Sequence, residues 1–402
     1  MHELKERMAA FVDAHSDVYK DIALQIHAKP EVSNYEFFAA ETLTRQLAAE
    51  GFTIEMPAAG HRTGFTASYA SGKPGPVLVF LAEYDALAGL GHGCGHNLFG
   101  AASALAGAAL KSIIDETGGE VRVYGTPGEE GGEMGSAKGS FVREGYFKDV
   151  DAALCAHPGS SPMNSLTTKL LANAPVDIEF WGRPAHAAAV PHMGLNALDA
   201  QILVFNAIAL LRQQLTTDVR IHGIITDGGT APNVIPEYTK SKFYIRAASM
   251  DTLNDVYAKI EKIVEGAGLQ TGTKSSMKLY QNLVENVVLA PKFDALYEKN
   301  FNELGYHSEP QVFTTMPGSS DVGNVSQAVP CIQPMISITD TEVPGHSQGM
   351  VEASCSGKGL AFIPLAAKVL ADTALDLILQ PEVLKEIKEE HAYNVEHQKE
   401  LA

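Results

Sequence analysis

Along PEVSNYEFFAAETLTRQLAAEGF, Pro30 to Phe52, apolar side chains recur at the three- and four-residue spacing of one helix face, and Gly51 ends the run. Upstream, MHELKERMAAFVDAHSDVYK reads as an amphipathic helix carrying charges throughout, without the apolar core of a signal peptide. The period changes at VLVFLAEY, Val77 to Tyr84, a short unbroken apolar run that suits a strand buried on both faces. A helix of small residues, NLFGAASALAGAALKSI (Asn97 to Ile113), separates it from the strand-like VRVYG (Val121 to Gly125). Another helical segment precedes AALCAH (Ala152 to His157). Strand, helix, strand in this order predicts an α/β fold with a mixed, mainly parallel sheet covered by helices.

Near Thr167 the pattern changes. VDIEFWG reads as a strand, LNALDAQILVFNAIALLRQQL as a helix, VRIHGIITDG and YTKSKFYIRAA as strands, MDTLNDVYAKIEKIVEGA as a helix and TKSSMKLYQ as a strand. That order has room for one four-stranded antiparallel sheet and two helices, an inserted α+β domain. The chain then returns to helix (Ala290 to Leu304) and to the strand-like CIQPMISIT. Residues 1–166 and 286–402 are therefore expected to form one discontinuous domain around an insertion of residues 167–285.

Composition narrows the chemistry. A chain of 402 residues, 45% hydrophobic and 19% charged, buries a large core. Its formal net charge of -18 offers no electrostatic footprint for nucleic acid or an anionic membrane, which makes a small molecule or peptide the expected substrate. No apolar run approaches membrane-spanning length. Cys94, Cys155, Cys331 and Cys355 are too scattered for a disulfide framework, and a reducing cytoplasm is the expected location.

Each polar cluster of the discontinuous domain follows a strand-like run: GHGCGHN after VLVFLAEYD, TPGEEGG after VRVYG, HPG after AALCA and DTEVPGHSQG after CIQPMISIT. Loops after parallel strands open at one edge, where such folds bind ligands. They would bring Cys94, His96, Glu129, Glu130, His157 and His346 to one crevice, a set of thiolate, imidazole and carboxylate suited to Zn²⁺ or Mn²⁺. Glycine lets the backbone bend closely round a metal, and Asn97 is placed to cap the helix beginning there. GLGHGCG also contains the GxGxG pattern of a phosphate cradle, but a pyrophosphate loop needs small residues where the cysteine and imidazoles stand. Cys155, inside an apolar strand, reads as core filler, and His92 as a loop residue without a ligand role. Glu129 and Glu130 alone would pass for solvated loop charges, and His157 or His346 for ordinary loop histidines. Their shared strand-end placement favours a site.

In chain order, PEVSNYE, AEYDAL with CGHN, GTPGEEGG, AHPG, GRPAHAAAVPHMGLNALDA, PNVIP, GSSD and PGHS resemble the aminoacylase and carboxypeptidase G family of metal-dependent peptidases over nearly the whole chain. The likeness is nearest to the amidohydrolase branch, with its hippurate, indole-acetyl-amino-acid and aminobenzoyl-glutamate hydrolases and dipeptidase-like members acting on basic dipeptides. The resemblance implies a zinc-peptidase-like catalytic domain in which Cys94, His96, Glu130, His157 and His346 bind two divalent metal ions, Zn²⁺ or Mn²⁺, and Glu129 is the general base. It also implies that the insertion is a lid carrying the dimer contact, giving a homodimer or a dimer-based tetramer. His186 in GRPAH matches a lid histidine that polarises the scissile carbonyl, and Asn233 and Arg246 match lid positions that hold the substrate's carboxylate end.

Two positions depart from the pattern. Glu83 precedes Asp85 where many relatives have a histidine, so that site falls to Cys94 and His96 or to Glu83 itself, and the group bridging the metals is open. Asn97 stands where the branch more often has aspartate; a ligand imidazole still needs an oriented partner, and Asp85 is the candidate. The expectation is a metal-dependent amidohydrolase cleaving a dipeptide or N-acyl amino acid with metal-activated water. A family member that binds metal without catalysis and a nucleotide-binding α/β oxidoreductase are the alternatives.

Overall fold

The computed structural model describes residues 1–309 and 318–398. The described chain divides into two compact units. One holds Met1–Lys169 and the residues from Val287 on, except Gly318 and Ser319; the other holds Leu170–Asn286 with those two.

The first unit opens with α1 (His2–Ala28), which runs past the expected Met1–Lys20 stretch and buries Met8, Val12, Tyr19, Ile22 and Ile26 on one face. The helix expected over Pro30 to Phe52 occupies only Phe37–Ala49 (α2). Pro30 to Glu36 is a loop instead, with Asn34 at φ 58°, because its side chains bond to a distant segment. Asn34 Nδ2 donates to the carbonyls of Glu133 (3.0 Å) and Met134 (3.1 Å), and Glu36 accepts from the Gly128 N–H (3.0 Å). Then come β1 (Thr53–Glu55), β2 (Phe65–Ala70), β3 (Val77–Ala82), α3 (His96–Thr117), β4 (Glu120–Gly125), α4 (Ala137–Arg143), β5 (Ala152–Leu154) and β6 (His157–Gly159). The second unit contains β7 (Ala172–Trp181), α5 (Ala197–Leu211), β8 (Arg220–Asp227), β9 (Tyr238–Ala247), α6 (Met250–Thr271) and β10 (Lys274–Leu279). The first unit resumes with α7 (Pro291–Glu303), α8 (Val322–Ala328), β11 (Cys331–Ile332), β12 (Met335–Ser337), α9 (Gln348–Ala353), α10 (Gly357–Leu379) and α11 (Pro381–Glu396).

The main sheet has the order β1-β2-β4-β3-β5-β11. It is antiparallel at the β1-β2-β4 edge and parallel from β4 through β3 and β5 to β11. Side chains of β3 alternate between two cores. Leu78, Phe80 and Ala82 pack with residues of α1, α3 and α10, whereas Val79 and Leu81 pack with Phe141 of α4 and Val322 and Val325 of α8. This double covering is why the strand is apolar without interruption, and truncating Phe80 to alanine would cost about 3–5 kcal/mol.

The run CIQPMISIT is not one strand. β11 joins the main sheet beside β5, while β12 pairs with β6 in a separate two-stranded parallel ladder. Pro334, between the two, has no N–H to give to a ladder. AALCAH breaks in the same way, which puts His157 at the start of β6. Among the described residues one helix, α3, is long and apolar enough to cross a membrane, contrary to the reading of the sequence, yet 89% of its apolar stretch is buried in the fold. Its apolar character serves the core it shares with the sheet and with α1 and α10.

The second unit is a four-stranded antiparallel sheet in the order β10-β7-β9-β8, as the pattern predicts. Val176, Ile178, Phe180, Phe243 and Ile245 pack against Val204 and Ile208 of α5 and Val256 and Ile260 of α6. β8 forms one edge.

Candidate metal centre

The centre gathers where β3 ends and α3 begins. Gly95, at φ 82°, turns the chain into α3 with His96 as the first helical residue. That left-handed conformation is one that glycine adopts without strain. Asn97 does not cap the helix as expected: its Nδ2 donates to the carbonyls of Ala23 (3.2 Å) and Ser354 (3.0 Å). At Gly100 an added Cβ would lie 2.6 Å from the Glu83 carbonyl oxygen, so the start of α3 presses directly on the chain leaving β3.

Three triplets of ligand atoms form there, each within 4.8 Å: Cys94 with His96 and His157, Cys94 with Glu130 and His346, and Glu83 with His96 and Glu129. Cys94 Sγ lies 3.6 Å from His157 Nε2, and His346 Nε2 lies 3.3 Å from Glu130 Oε1. His96 Nε2 faces Glu83 Oε2 at 3.1 Å and Glu129 Oε2 at 3.9 Å. Its other nitrogen, Nδ1, meets Asp85 Oδ1 at 2.9 Å, while Asp85 Oδ2 accepts from the Glu130 N–H at 2.9 Å. Asp85 therefore orients one imidazole and one carboxylate loop at once.

These residues fit a metal. His96 Nε2 and Glu130 Oε1 are buried polar atoms whose neighbours are close but not aligned for hydrogen bonds, the arrangement that donors take round a shared cation. Burial, then the Glu130 charge, pushes the Cys94 thiol up, so a cation in contact is what would make it a thiolate. Burial, then the Glu83 and Glu130 charges, also pushes Glu129 well above the usual carboxylate range. Burial would raise Glu130 too, but the neighbouring His346 imidazole and the His96 charge hold it low. His346 stands at φ 53° and donates its backbone N–H to the Gly93 carbonyl (3.2 Å), which ties its loop to the one carrying Cys94.

Two neighbours stay outside the triplets. His92 is buried against His27, ring centroids 6.0 Å apart, and burial lowers it to about 3. Cys155 is buried in the core beyond β5, its thiol directed to the Ile332 carbonyl.

The model of the M20 peptidase dimerisation domain matches residues 173–271. The chain is 36% identical to the Xaa-Arg dipeptidase of Mus musculus, over 96% of this chain and 92% of that protein. It is 33% identical to the Xaa-Arg dipeptidase of Homo sapiens, again over 96% and 92% respectively. This chain belongs to the M20 peptidase family. Its fold also matches a Bacillus subtilis dinuclear metal binding peptidase of the M20 family, with TM-score 0.64 and 18% identity over 92% of this chain and 99% of that one.

In this M20 peptidase, His186, Asn233 and Arg246 lie in the second unit. His186 is exposed, and its Nδ1 accepts the N–H groups of Ala188 (3.3 Å) and Ala189 (3.2 Å). Asn233 is exposed and accepts the Ala187 N–H at its carbonyl (3.0 Å). Arg246, on β9, donates to Ser319 Oγ (2.8 Å). Reasoning from sequence missed Lys138, whose fully buried ammonium lies 2.7 Å from Glu83 Oε1 and 2.6 Å from Asp321 Oδ1. A lone lysine in GSAKGSF reads as a surface residue, and no local spacing links it to Glu83. The clamp of Asn34 and Glu36 on the Gly128–Ser136 loop was missed for the same reason.

Proposed function

We propose that this M20 peptidase hydrolyses the amide bond of a dipeptide or N-acyl amino acid at a centre of two divalent metal ions. The observation that carries the reading is the pair of triplets sharing Cys94. Cys94, His96 and His157 would hold one ion, and Cys94, Glu130 and His346 the other. This donor set suits Zn²⁺ or Mn²⁺. When bound, such ions supply Lewis-acid polarisation of the amide carbonyl and lower the pKa of the attacking water.

The remaining steps belong to side chains. Glu129, with 11% of its side chain exposed, takes the proton as the water oxygen bonds to the carbonyl carbon. It then gives that proton to the nitrogen as the C–N bond breaks. Because His186 Nδ1 accepts backbone N–H groups, the neutral ring carries its proton on Nε2 and offers a donor. We assign that donor to the developing oxyanion, a role in which one hydrogen bond contributes about 3 kcal/mol. The fork of Arg246 and the amide of Asn233 suit the carboxylate end of the substrate. The family match over the second unit and the exposed apolar positions on edge strand β8, Ile224 (64%) and Ile225 (42%), support a homodimer built through that unit.

The test is hydrolysis of Xaa-Arg dipeptides, other dipeptides, hippurate and aminobenzoyl-glutamate by metal-free protein, with and without Mn²⁺ or Zn²⁺. Cleavage that requires added metal is expected. Protein that takes up metal and cleaves none of these amides would contradict the proposal.

A further inference from the structure

We propose that Lys138 is a positioning residue that holds Glu83 away from the metal ions and leaves Glu129 as the carboxylate free to move a proton. The inference rests on the two-ion reading above. Two carboxylates approach His96 Nε2, Glu83 Oε2 at 3.1 Å and Glu129 Oε2 at 3.9 Å, and all three side chains form a ligand triplet of their own. That triplet competes with Cys94, His96 and His157 for the same imidazole nitrogen, which has one lone pair. By distance to His96 alone, Glu83 is the better placed ligand.

Lys138 reverses that preference. Its ammonium stands 2.7 Å from Glu83 Oε1, and neither side chain has any exposed surface. A divalent ion bound by the same carboxylate would be crowded against a buried cation with no water to screen the two. The lysine cannot swing aside easily, because Asp321 grips it at both ends: Oδ1 is 2.6 Å from the ammonium, and Oδ2 accepts the Lys138 backbone N–H at 3.1 Å. Burial would lower the lysine, but the charges of Asp321 and then Glu83 hold it raised, so it stays a cation. Glu83 is thereby engaged by an internal counter-ion, and Glu129 stays beside the same imidazole, its Oε2 at 3.9 Å from His96 Nε2.

The experiment measures metal content per chain and the absorption spectrum of Co²⁺-substituted protein for wild type, Glu83→Gln, Lys138→Met and the double variant, together with kcat and KM. Wild type should hold two ions; fewer would overturn the two-ion reading itself, and this result is read before any variant. Glu83→Gln should keep both ions and the wild-type Co²⁺ spectrum. In Lys138→Met the freed Glu83 should enter the coordination sphere, changing the Co²⁺ spectrum and lowering kcat about tenfold or more, with KM held within about threefold. Adding Glu83→Gln should return the spectrum to the wild-type form. Loss of an ion in Glu83→Gln would overturn the proposal, as would folded Lys138→Met with a wild-type spectrum and kcat. Should Lys138→Met fail to fold, Glu83→Gln still decides between the two outcomes.

Discussion

Replacing Asp85 by asparagine should weaken metal binding far more than it weakens the fold. Asp85 is 1% exposed, and each of its oxygens accepts one hydrogen bond, Oδ1 from His96 Nδ1 and Oδ2 from the Glu130 N–H, both at 2.9 Å. A carboxylate can accept at both positions. An amide has one oxygen, so asparagine would set its NH₂ against an N–H at the imidazole or at the carboxylate loop. Losing one charge-assisted bond of this kind costs about 1.5–3 kcal/mol. Because the lost bond orients a ligand, the cost should appear in the affinity, as a drop of about 10–100-fold. The two estimates agree, since about 1.4 kcal/mol corresponds to tenfold. The assay is competition for Zn²⁺ against a chelator, with thermal unfolding of the metal-free forms run beside it. Affinity within about threefold of wild type, in a variant that folds, would refute the reasoning. A large fall in metal-free stability with unchanged affinity would do the same, because Asp85 would then be holding the loop and not the ligands.

The adjacent carboxylates should separate cleanly: Glu129→Gln should keep both ions and lose nearly all turnover, whereas Glu130→Gln should lose metal, as measured by metal content and dipeptide hydrolysis. Cys94→Ser should weaken metal binding and shift preference from soft toward hard ions in chelator competition, while Cys155→Ser, in the core, should leave both unchanged. His186→Ala should lower kcat strongly with metal content intact, and exchange of protomers with Glu129→Gln should recover part of the activity if the histidine acts across the dimer. Asp372 is raised to about 7, first by burial and then by the charges of Asp376 and Glu303 acting against Lys5. Its folded state therefore holds the proton more tightly than the unfolded chain, and the stability it contributes at low pH is lost as pH rises toward 7. Asp372→Asn should accordingly raise the melting temperature at about pH 8 and leave it little changed at about pH 4.

Much of the architecture was legible because it is written in periodicity. The unbroken apolar run at Val77 to Tyr84 marks a doubly covered strand, and the alternating TKSKFYIRA marks a strand with one solvated face. Cys94, His96, Glu129, Glu130, His157 and His346 converge because the loops that carry them follow strands of one sheet and its short companion ladder. What was illegible depends on partners remote in sequence. Pro30 to Glu36 has helical spacing, but Asn34 and Glu36 bond to the loop near Glu130, and those bonds override the local preference. Asn97 has a capping side chain, but carbonyls of Ala23 and Ser354 draw it away from the helix end. Lys138 and Asp321 meet across 183 residues, and nothing in either local sequence announces the pair. Glu83 could be named as a departure from a pattern, but its role turns on that unseen lysine.

The most direct test of the two-ion hydrolase is a titration of metal-free protein with Mn²⁺ or Zn²⁺, following hydrolysis of a cleaved dipeptide against equivalents of metal per chain. Activity that is absent without metal and reaches its plateau at two equivalents is the expected result. Full activity at one equivalent, or hydrolysis that does not depend on added metal, would contradict the account.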